Sequence, residues 1–134
     1  MANFPLKVVS PDGVKFEGMV ERLTLRTTSG DMGILAGHCN CVAPVGMGRA
    51  TVVTQGQTRY AACIGGMVSV LGGNVTLTPT TFEWAEEIDF PRAEQAEAKA
   101  LQTLEKKDAS QEEIRLAQAR LRRALVRKSV SQNK

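Results

Sequence analysis

Glycine is missing from the last sixty-one residues of the chain, because all twelve glycines lie at or before Gly73. Charged side chains show the opposite bias: residues 83–134 hold twenty-one of the thirty-one Asp, Glu, Lys and Arg residues. Glycine permits tight turns and Val/Thr-rich segments favour strands, whereas a glycine-free segment rich in Ala, Glu and Arg favours helix. We therefore predict a β domain over residues 1–84 and a helical domain over residues 85–134.

Long apolar runs and a secretory signal are also missing. No apolar run approaches the ~20 residues that span a bilayer, and the first residues have neither the basic start nor the apolar core of a signal peptide. The three cysteines, Cys39, Cys41 and Cys63, form an odd set without the spacing of a disulfide framework. These absences predict an intracellular protein without a membrane span.

Catalytic and metal-binding patterns are equally scarce. The single histidine, His38, stands beside Cys39 and Cys41, a spacing too tight for the usual four-ligand metal loop. No Ser or Cys nucleophile has a recognisable base, and the Gly-Lys-Ser/Thr of a phosphate loop is absent. The net charge of +3 is modest, and residues 91–134 contain no aromatic ring to stack on a base. We expect no catalytic site, no metal site and no nucleic-acid partner.

The first eighty residues carry short segments typical of strands. Val- and Thr-rich pieces alternate with turn clusters, and Gly72-Gly73 separates two of them, as in a two-residue hairpin loop. This spacing predicts an antiparallel β-sandwich. The segment 27–38 differs, because it has three glycines within eight residues. We predict an exposed loop there, with Ile34 and Leu35 as an apolar plug.

The C-terminal part has the signals of two helices joined by a short turn. Asp89 is suited to cap the first helix and Ser110 or Asp108 the second, and Pro91 fits the first turn of the first helix. Helices with so short a connection pack antiparallel. The predicted facing stripes are mostly alanine: Ala93, Ala96, Ala100 and Leu104 against Ile114, Ala117, Leu121, Ala124 and Leu125. Such a seam buries little apolar area, so the hairpin is either able to open on a stable sandwich or is a permanently closed appendage.

Charge is also segregated within the helical part. Residues 83–105 are mainly acidic and residues 111–128 mainly basic, so folding back brings opposite charges together. Asp89 and Arg92 could contact ribose and phosphate, and Arg123 and Arg127, four residues apart, share a helix face. Two interpretations follow: a polyphosphate site, or simple neutralisation of the basic helix by the acidic segment.

Two motifs and the two-part layout resemble a known family. The loop Gly30-Asp-Met-Gly-Ile-Leu-Ala-Gly-His38 and the step Gly65-Gly66-Met-Val-Ser-Val70 are similar to motifs of the epsilon subunit of bacterial F-type ATP synthases. The resemblance covers essentially the whole chain. Three departures are Ala36 in place of a usual proline, Ser69 in place of a usual acidic residue, and residues 84–87, which replace a stretch that often contains arginine.

The resemblance implies a non-catalytic rotor subunit. In this family the sandwich binds the gamma subunit and its end loops rest on the c-ring, which would place Asp31 and His38 in a ring-facing loop. The helical hairpin, when extended, inhibits ATP hydrolysis, and Arg115, Arg122 and Arg123 would then meet acidic segments of the alpha/beta catalytic head. The expected location is the cytoplasmic face of the bacterial membrane, with membrane contact only through the complex.

Some members of the family bind ATP on the folded hairpin. Ile88, Asp89, Arg92 and Ala93 match their nucleotide motif, and Glu83, Arg123 and Arg127 fall at its supporting positions. The resemblance therefore implies ATP as a regulatory ligand, with no cofactor required. We also expect Trp84 to pack the hairpin against the sandwich. The alternative function is a stand-alone nucleotide-binding sensor of the same shape.

Overall fold

The computed structural model describes residues 2–132, so Met1 and residues 133–134, at the ends of the two predicted domains, lie outside the described residues. The described chain begins with ten strands, continues through a short 3₁₀ turn and ends with two helices. Their bounds are β1 Phe4–Ser10, β2 Gly13–Val20, β3 Arg22–Thr27, β4 Gly30–Ile34, β5 Cys41–Pro44, β6 Met47–Thr54, β7 Gln57–Ile64, β8 Met67–Leu71, β9 Asn74–Thr78, β10 Thr81–Trp84, the 3₁₀ turn Ala85–Glu87, α1 Phe90–Glu105 and α2 Gln111–Ser131.

The strands form two five-stranded sheets. We call the sheet ordered β2-β1-β9-β8-β5 the first sheet and the sheet ordered β10-β7-β6-β3-β4 the second sheet. Among the described strands, β1 and β9 are the one parallel pair, with Leu6 opposite Val75, and the other pairings are antiparallel. The predicted sandwich and helical hairpin are confirmed, with this parallel pair as an unforeseen feature.

Large aliphatic side chains fill the space between the two sheets. Every second residue of β1 is buried, as is typical of a strand with one face on the core. The largest side chains with almost no exposed surface are Leu6, Leu23, Leu25, Ile34 and Leu77. Because each such side chain contributes ~1.5–3 kcal/mol when it leaves water, this core is the main source of stability in the sandwich.

Two glycine pairs set the turns of β8. Gly72 and Gly73 have φ values of 58° and 82°, the double positive φ of a primed hairpin turn, and they join β8 to β9 as predicted. Gly66, which precedes β8, has φ 94°, and an added Cβ there would lie 2.1 Å from the Thr78 carbonyl oxygen. No side chain fits this position, so glycine is required where the chain enters β8.

The segment predicted as a loop over residues 27–38 is partly a strand. β4 pairs with β3, with Ile34 opposite Leu23. Met32 and Ile34 turn toward the core at a spacing of two, while Leu35 is 58% exposed. The prediction was wrong because it counted glycines and overlooked this alternation; a strand at a sheet edge can pair through its backbone with few side chains. The loop itself is confined to residues 35–40.

Both predicted helix caps are confirmed. The Asp89 carboxylate accepts the backbone N–H of Arg92 at 3.1 Å, and Pro91 lies in the first turn of α1. The Ser110 hydroxyl accepts the backbone N–H of Glu113 at 3.1 Å, at the start of α2. Each cap satisfies an N–H that has no partner inside its helix.

The seam between the helices is made of alanine, as the spacing predicts. Ala93 and Ala100 of α1 and Ala117 and Ala124 of α2 are buried. Leu104, Ile114 and Leu121 are half-buried, but Ala96 and Leu125, also predicted on these stripes, are exposed and lie outside the seam. The direction of a helical side chain changes by about 100° per residue, so Ala124 and Leu125 cannot both face the same partner helix.

The hairpin docks on the outer face of the second sheet through a small apolar cluster. Four buried residues form this docking cluster: Ala62, Ala85, Ile88 and Val130. Val130 near the end of α2 has no exposed surface. The docking cluster is therefore the main apolar attachment between hairpin and sandwich.

Trp84 does not belong to that attachment. Its ring packs in the sandwich core, 4.9 Å from the Phe82 ring centroid, and its Nε1–H donates to the Lys15 carbonyl at 3.3 Å. The expectation that Trp84 packs the hairpin against the sandwich was wrong. Trp84 closes β10, and alternation along that strand points its side chain inward with Phe82.

Neither α1 nor α2 is long and apolar enough to cross a membrane, and no other helix of the described residues qualifies.

Candidate functional site

A cavity of about 370 Å³ lies where the two helices meet the sandwich. The end of β10 supplies Glu83, the 3₁₀ turn supplies Glu87, the start of α1 supplies Asp89 and Arg92, and α2 supplies Arg127. These side chains come from separate elements, so the cavity exists only while the hairpin is folded on the sandwich.

Each carboxylate of the cavity already accepts one hydrogen bond. Glu87 accepts the Trp84 backbone N–H at 3.1 Å, Asp89 accepts the Arg92 backbone N–H, and Glu83 accepts Nε–H of Arg127. A carboxylate has a second oxygen with free lone pairs, so all three can still accept from a ligand. With three carboxylates against two guanidiniums, the cavity suits hydroxyl or amino groups better than phosphate.

The predicted meeting of acidic and basic segments is confirmed at two ion pairs. Arg127 pairs with Glu83 and ties α2 to β10. Lys128 Nζ lies 3.3 Å from the carboxylate of Glu97 and ties α2 to α1. Both pairs are partly screened by solvent and contribute little stability alone. They fix the position of the end of α2 beside the start of α1.

A second concavity, of about 420 Å³, runs between the helices from the cavity toward the α1–α2 turn. Five cationic side chains line this cationic groove against one carboxylate, that of Glu113. The cations are Lys99, Lys106, Arg120, Arg123 and Arg127. Ala96 and Arg127 line both the cavity and the groove, so the two sites are adjacent.

The residues predicted to bind a nucleotide do not all line the same site in the structure. Glu83, Asp89, Arg92, Ala93 and Arg127 line the cavity together. Arg123 lies instead in the cationic groove.

Ile88 does not line the cavity, although its place in the motif predicted a nucleotide contact. It is only 4% exposed and belongs to the docking cluster with Val130. An apolar side chain beside an apolar pocket gains more by burial there than by facing three carboxylates. Its role is to hold the segment before Asp89 against the sandwich.

Lys99, Lys106, Arg120 and Glu87 are residues of the site that sequence reasoning missed. Lys99 lies on α1 and Lys106 directly follows its last residue, while Arg120 precedes Arg127 by seven residues on one side of α2. Antiparallel packing then brings the two rows together. The spacing is present in the sequence, but the predicted site included only the start of α1 and the end of α2.

Asp31 and His38, predicted in one loop, do not share one. Asp31 lies within β4 opposite Arg26, with an oxygen 3.8 Å from the Arg26 guanidinium. His38 lies in the loop over residues 35–40, where its Nδ1 is 2.9 Å from the Cys39 carbonyl oxygen. The correction follows from β4, because strand pairing places the two residues toward opposite ends of that strand.

The two other arginines predicted to touch a catalytic head, Arg115 and Arg122, are exposed on α2. They line neither the cavity nor the groove.

The cysteines occupy two distinct environments. Cys63 is buried in the sandwich core, and this burial raises its pKa to about 12. Cys39 is exposed, and Cys41 Sγ lies 4.0 Å from His38 Nδ1. Among the described residues, no three His, Cys, Asp or Glu side chains are placed to hold a metal ion together.

Fold and site together define a two-part protein: a β-sandwich carrying a helical hairpin, with a ligand-sized cavity at their junction. Family comparison gives the same division. Residues 3–85 match the model described as ATP synthase, Delta/Epsilon chain, beta-sandwich domain, and residues 86–132 match ATP synthase, Delta/Epsilon chain, long alpha-helix domain. The chain belongs to the ATP synthase delta/epsilon family. The predicted resemblance to an epsilon subunit, a stalk component rather than a catalytic subunit, is thereby confirmed.

Curated relatives match over their full length. The ATP synthase epsilon chain of Ruminococcus albus is 40% identical over 135 residues, covering 100% of both chains. That of Bacillus cytotoxicus is 38% identical over 134 residues with the same coverage. The epsilon chain of Caldicellulosiruptor bescii is 39% identical over 135 residues, covering 100% of this chain and 98% of that one.

Solved structures share the fold. A chain of the Euglena gracilis mitochondrial ATP synthase superposes with a TM-score of 0.85 at 23% identity, covering 96% of this chain and 81% of that one. A chain from the central stalk and c-ring of the Tetrahymena thermophila mitochondrial enzyme gives 0.66 at 13% identity, covering 95% of each. At these identities the likeness establishes the architecture alone.

Proposed function

We propose that this chain couples the gamma subunit to the c-ring in the central stalk of a bacterial F-type ATP synthase, at the cytoplasmic face of the membrane. Support comes from the family assignment and from full-length matches to bacterial epsilon chains. The same matches favour a stalk subunit over a stand-alone nucleotide sensor.

We further propose that the hairpin is a regulatory arm that extends from the sandwich and inhibits ATP hydrolysis. The alanine seam and the four-residue docking cluster support this, because both bury little apolar area compared with the sandwich core. Arg115, Arg122 and Arg123 are the residues proposed to meet acidic segments of the alpha/beta head. Charge complementarity of this kind guides register and partner choice.

ATP is the proposed ligand of the folded hairpin. The observation that carries this proposal is that an acid-lined cavity and a cationic groove lie side by side, with Arg127 lining both. The ribose hydroxyls and the adenine amino group would donate to the carboxylates of Glu83, Glu87 and Asp89. The triphosphate would then lie along Arg92, Arg127 and Arg123, whose guanidinium groups would donate to phosphate oxygens.

A ligand held by three elements favours the conformation that brings them together. ATP would contact β10, α1 and α2 in the folded hairpin and would lose some of those contacts on extension. The shift toward the folded form cannot exceed the difference between its affinities for the two forms. Bound ATP would thereby reduce the inhibition of ATP hydrolysis by the extended hairpin.

Calorimetric titration of the full chain with ATP tests the ligand. Arg92→Ala is expected to weaken binding about tenfold or more, since a charge-assisted contact is lost. Arg122→Ala is the matched control, because it removes a guanidinium from the same hairpin outside the site. Equal affinities for the Arg92→Ala variant and the unmodified chain would refute ATP binding at this site.

Two assays test the complex. Co-purification with gamma separates the stalk subunit from the sensor, which would not sediment with washed membranes. In the assembled complex, Arg115→Ala with Arg122→Ala is expected to raise ATP hydrolysis. Unchanged hydrolysis would remove these two residues from the inhibitory contact without affecting the coupling role.

A further inference from the structure

The cationic groove is longer than a triphosphate needs. Between Ala96 and Glu105, the last residue of α1, the helix advances nine residues, which is about 14 Å at the helical rise, and Lys106 follows directly. On the facing helix, Arg120 lies seven residues before Arg127, about 10 Å along α2. A triphosphate that begins at Arg127 ends well short of Lys106. The far part of the groove therefore has no role in the proposed binding of ATP.

Four of the five cations of the groove have no ion-pair partner among the described residues, while the fifth, Arg127, pairs with Glu83. Within residues 2–132, neither Lys99, Lys106, Arg120 nor Arg123 takes part in an ion pair. The one carboxylate, Glu113, is held by the Ser110 hydroxyl at 3.2 Å. Like charges collected around one concavity raise its positive potential and favour an anion that spans them.

The polar groups of the groove select the kind of anion. An extended peptide needs partners for its backbone, yet Thr103 is the one neutral hydrogen-bonding side chain in the lining. Its hydroxyl already donates to the Lys99 carbonyl at 3.2 Å. A narrow chain with a negative charge on every unit can be bound by the cationic side chains alone, without further hydrogen-bond partners.

We propose that the groove binds linear polyphosphates of more than three phosphate groups, free or attached to a nucleoside. Lys106 and Arg120 are the contacts beyond the reach of a triphosphate, while Arg123 and Arg127 are shared with the proposed ATP site. The phosphate chain lies along the alanine floor of the groove, with charged donors on both helices. Phosphate oxygens accept from guanidinium and ammonium groups in this geometry.

Calorimetry on the full chain tests the proposal with linear inorganic hexapolyphosphate and tripolyphosphate. Lys106→Gln with Arg120→Gln removes the two far contacts. The control, Lys107→Gln with Arg122→Gln, removes equal charge from neighbouring positions outside the groove. We expect the groove variant to lose about tenfold in affinity for hexapolyphosphate and little for tripolyphosphate, with the control unchanged.

Several outcomes would overturn the proposal. Absence of hexapolyphosphate binding would do so directly. An equal loss of hexapolyphosphate affinity in both double variants would show that binding depends on total charge and not on the groove. Displacement of hexapolyphosphate by polyglutamate at equal charge concentration would point to an acidic protein partner instead. Adenosine 5′-tetraphosphate distinguishes a nucleoside polyphosphate from a free polyphosphate. Arg92→Ala should weaken the binding of adenosine 5′-tetraphosphate and leave the binding of hexapolyphosphate unchanged. Hexapolyphosphate binding without ATP binding would sink the nucleotide proposal and leave this one standing.

Discussion

The sandwich and the hairpin are held by different side chains. In the sandwich, leucine, isoleucine and valine from both sheets interlock across one core, whereas the hairpin seam consists of four buried alanines. Each additional buried CH₂ contributes about 0.8 kcal/mol, so the same number of contacts stabilises the two parts very unequally. The difference teaches that two parts of one chain can be given unequal stability through the size of the side chains that hold them.

The largest expected effect is in the sandwich core. Leu25→Ala should lower the free energy of unfolding by about 2–5 kcal/mol, because it leaves a cavity among fully buried neighbours. Urea denaturation measures the change. Leu71→Ala is the matched control, since Leu71 is 70% exposed on the same sandwich and should change stability little. Similar losses in both variants would contradict the assignment of the core.

Gly66→Ala should destabilise the sandwich by about 1–3 kcal/mol through backbone strain and collision with the Thr78 carbonyl. Thermal unfolding gives the value. Gly33→Ala is the comparison, because Gly33 has no positive φ and nothing within 4 Å of an added Cβ. A Gly66→Ala chain as stable as the Gly33→Ala chain would mean that the entry to β8 is not rigid.

Val130→Ala should act on the hairpin alone. Removing two buried methyl groups from the docking cluster is expected to weaken hairpin docking by about 1–2 kcal/mol. Hydrogen exchange should then accelerate in α1 and α2 while β6 and β7 stay protected. Leu125→Ala, an exposed position on the same helix, should leave exchange unchanged. Faster exchange throughout the sandwich would show that the two parts unfold as one.

The smallest effect is a pH dependence of the sandwich. Because the pKa of folded Cys63 is raised to about 12, the unfolded chain loses the thiol proton first. The stability due to this residue is complete below the unfolded pKa near 9.0 and falls as pH rises toward 12. At pH 10 the loss should be about 1 kcal/mol relative to pH 8. Cys63→Ala should flatten this part of the curve, and an identical slope in that variant would contradict the prediction.

Local signals in the sequence located the turns, the helix caps and the alanine seam. The turn or cap that each of these residues forms involves positions only a few residues away, so the neighbouring sequence is enough to identify it. The residues are Gly72-Gly73, Asp89 and Ser110. β4 was missed because its two glycines outweighed the local alternation of Met32 and Ile34, and because its pairing with β3 is not visible in the neighbouring residues.

The candidate site was predictable only in part, for a related reason. The motif around Asp89 and Arg92 identifies one wall of the cavity, but the opposite wall depends on the register of α2 against α1. Ile88 belongs to the same motif and still turns into the docking cluster, because burial decided its direction. Lys106 and Arg120 become neighbours of one groove only once the helices are paired.

The parallel pairing of β1 with β9 has a consequence for synthesis on the ribosome. Leu6 pairs with Val75, which is synthesised sixty-nine residues later. At 5–20 residues per second, the interval between the two is about 3–14 s. The first sheet cannot be completed before then, and the hairpin emerges later still. We expect every new molecule to pass through a stage in which the sandwich is complete and the outer face of its second sheet is still bare.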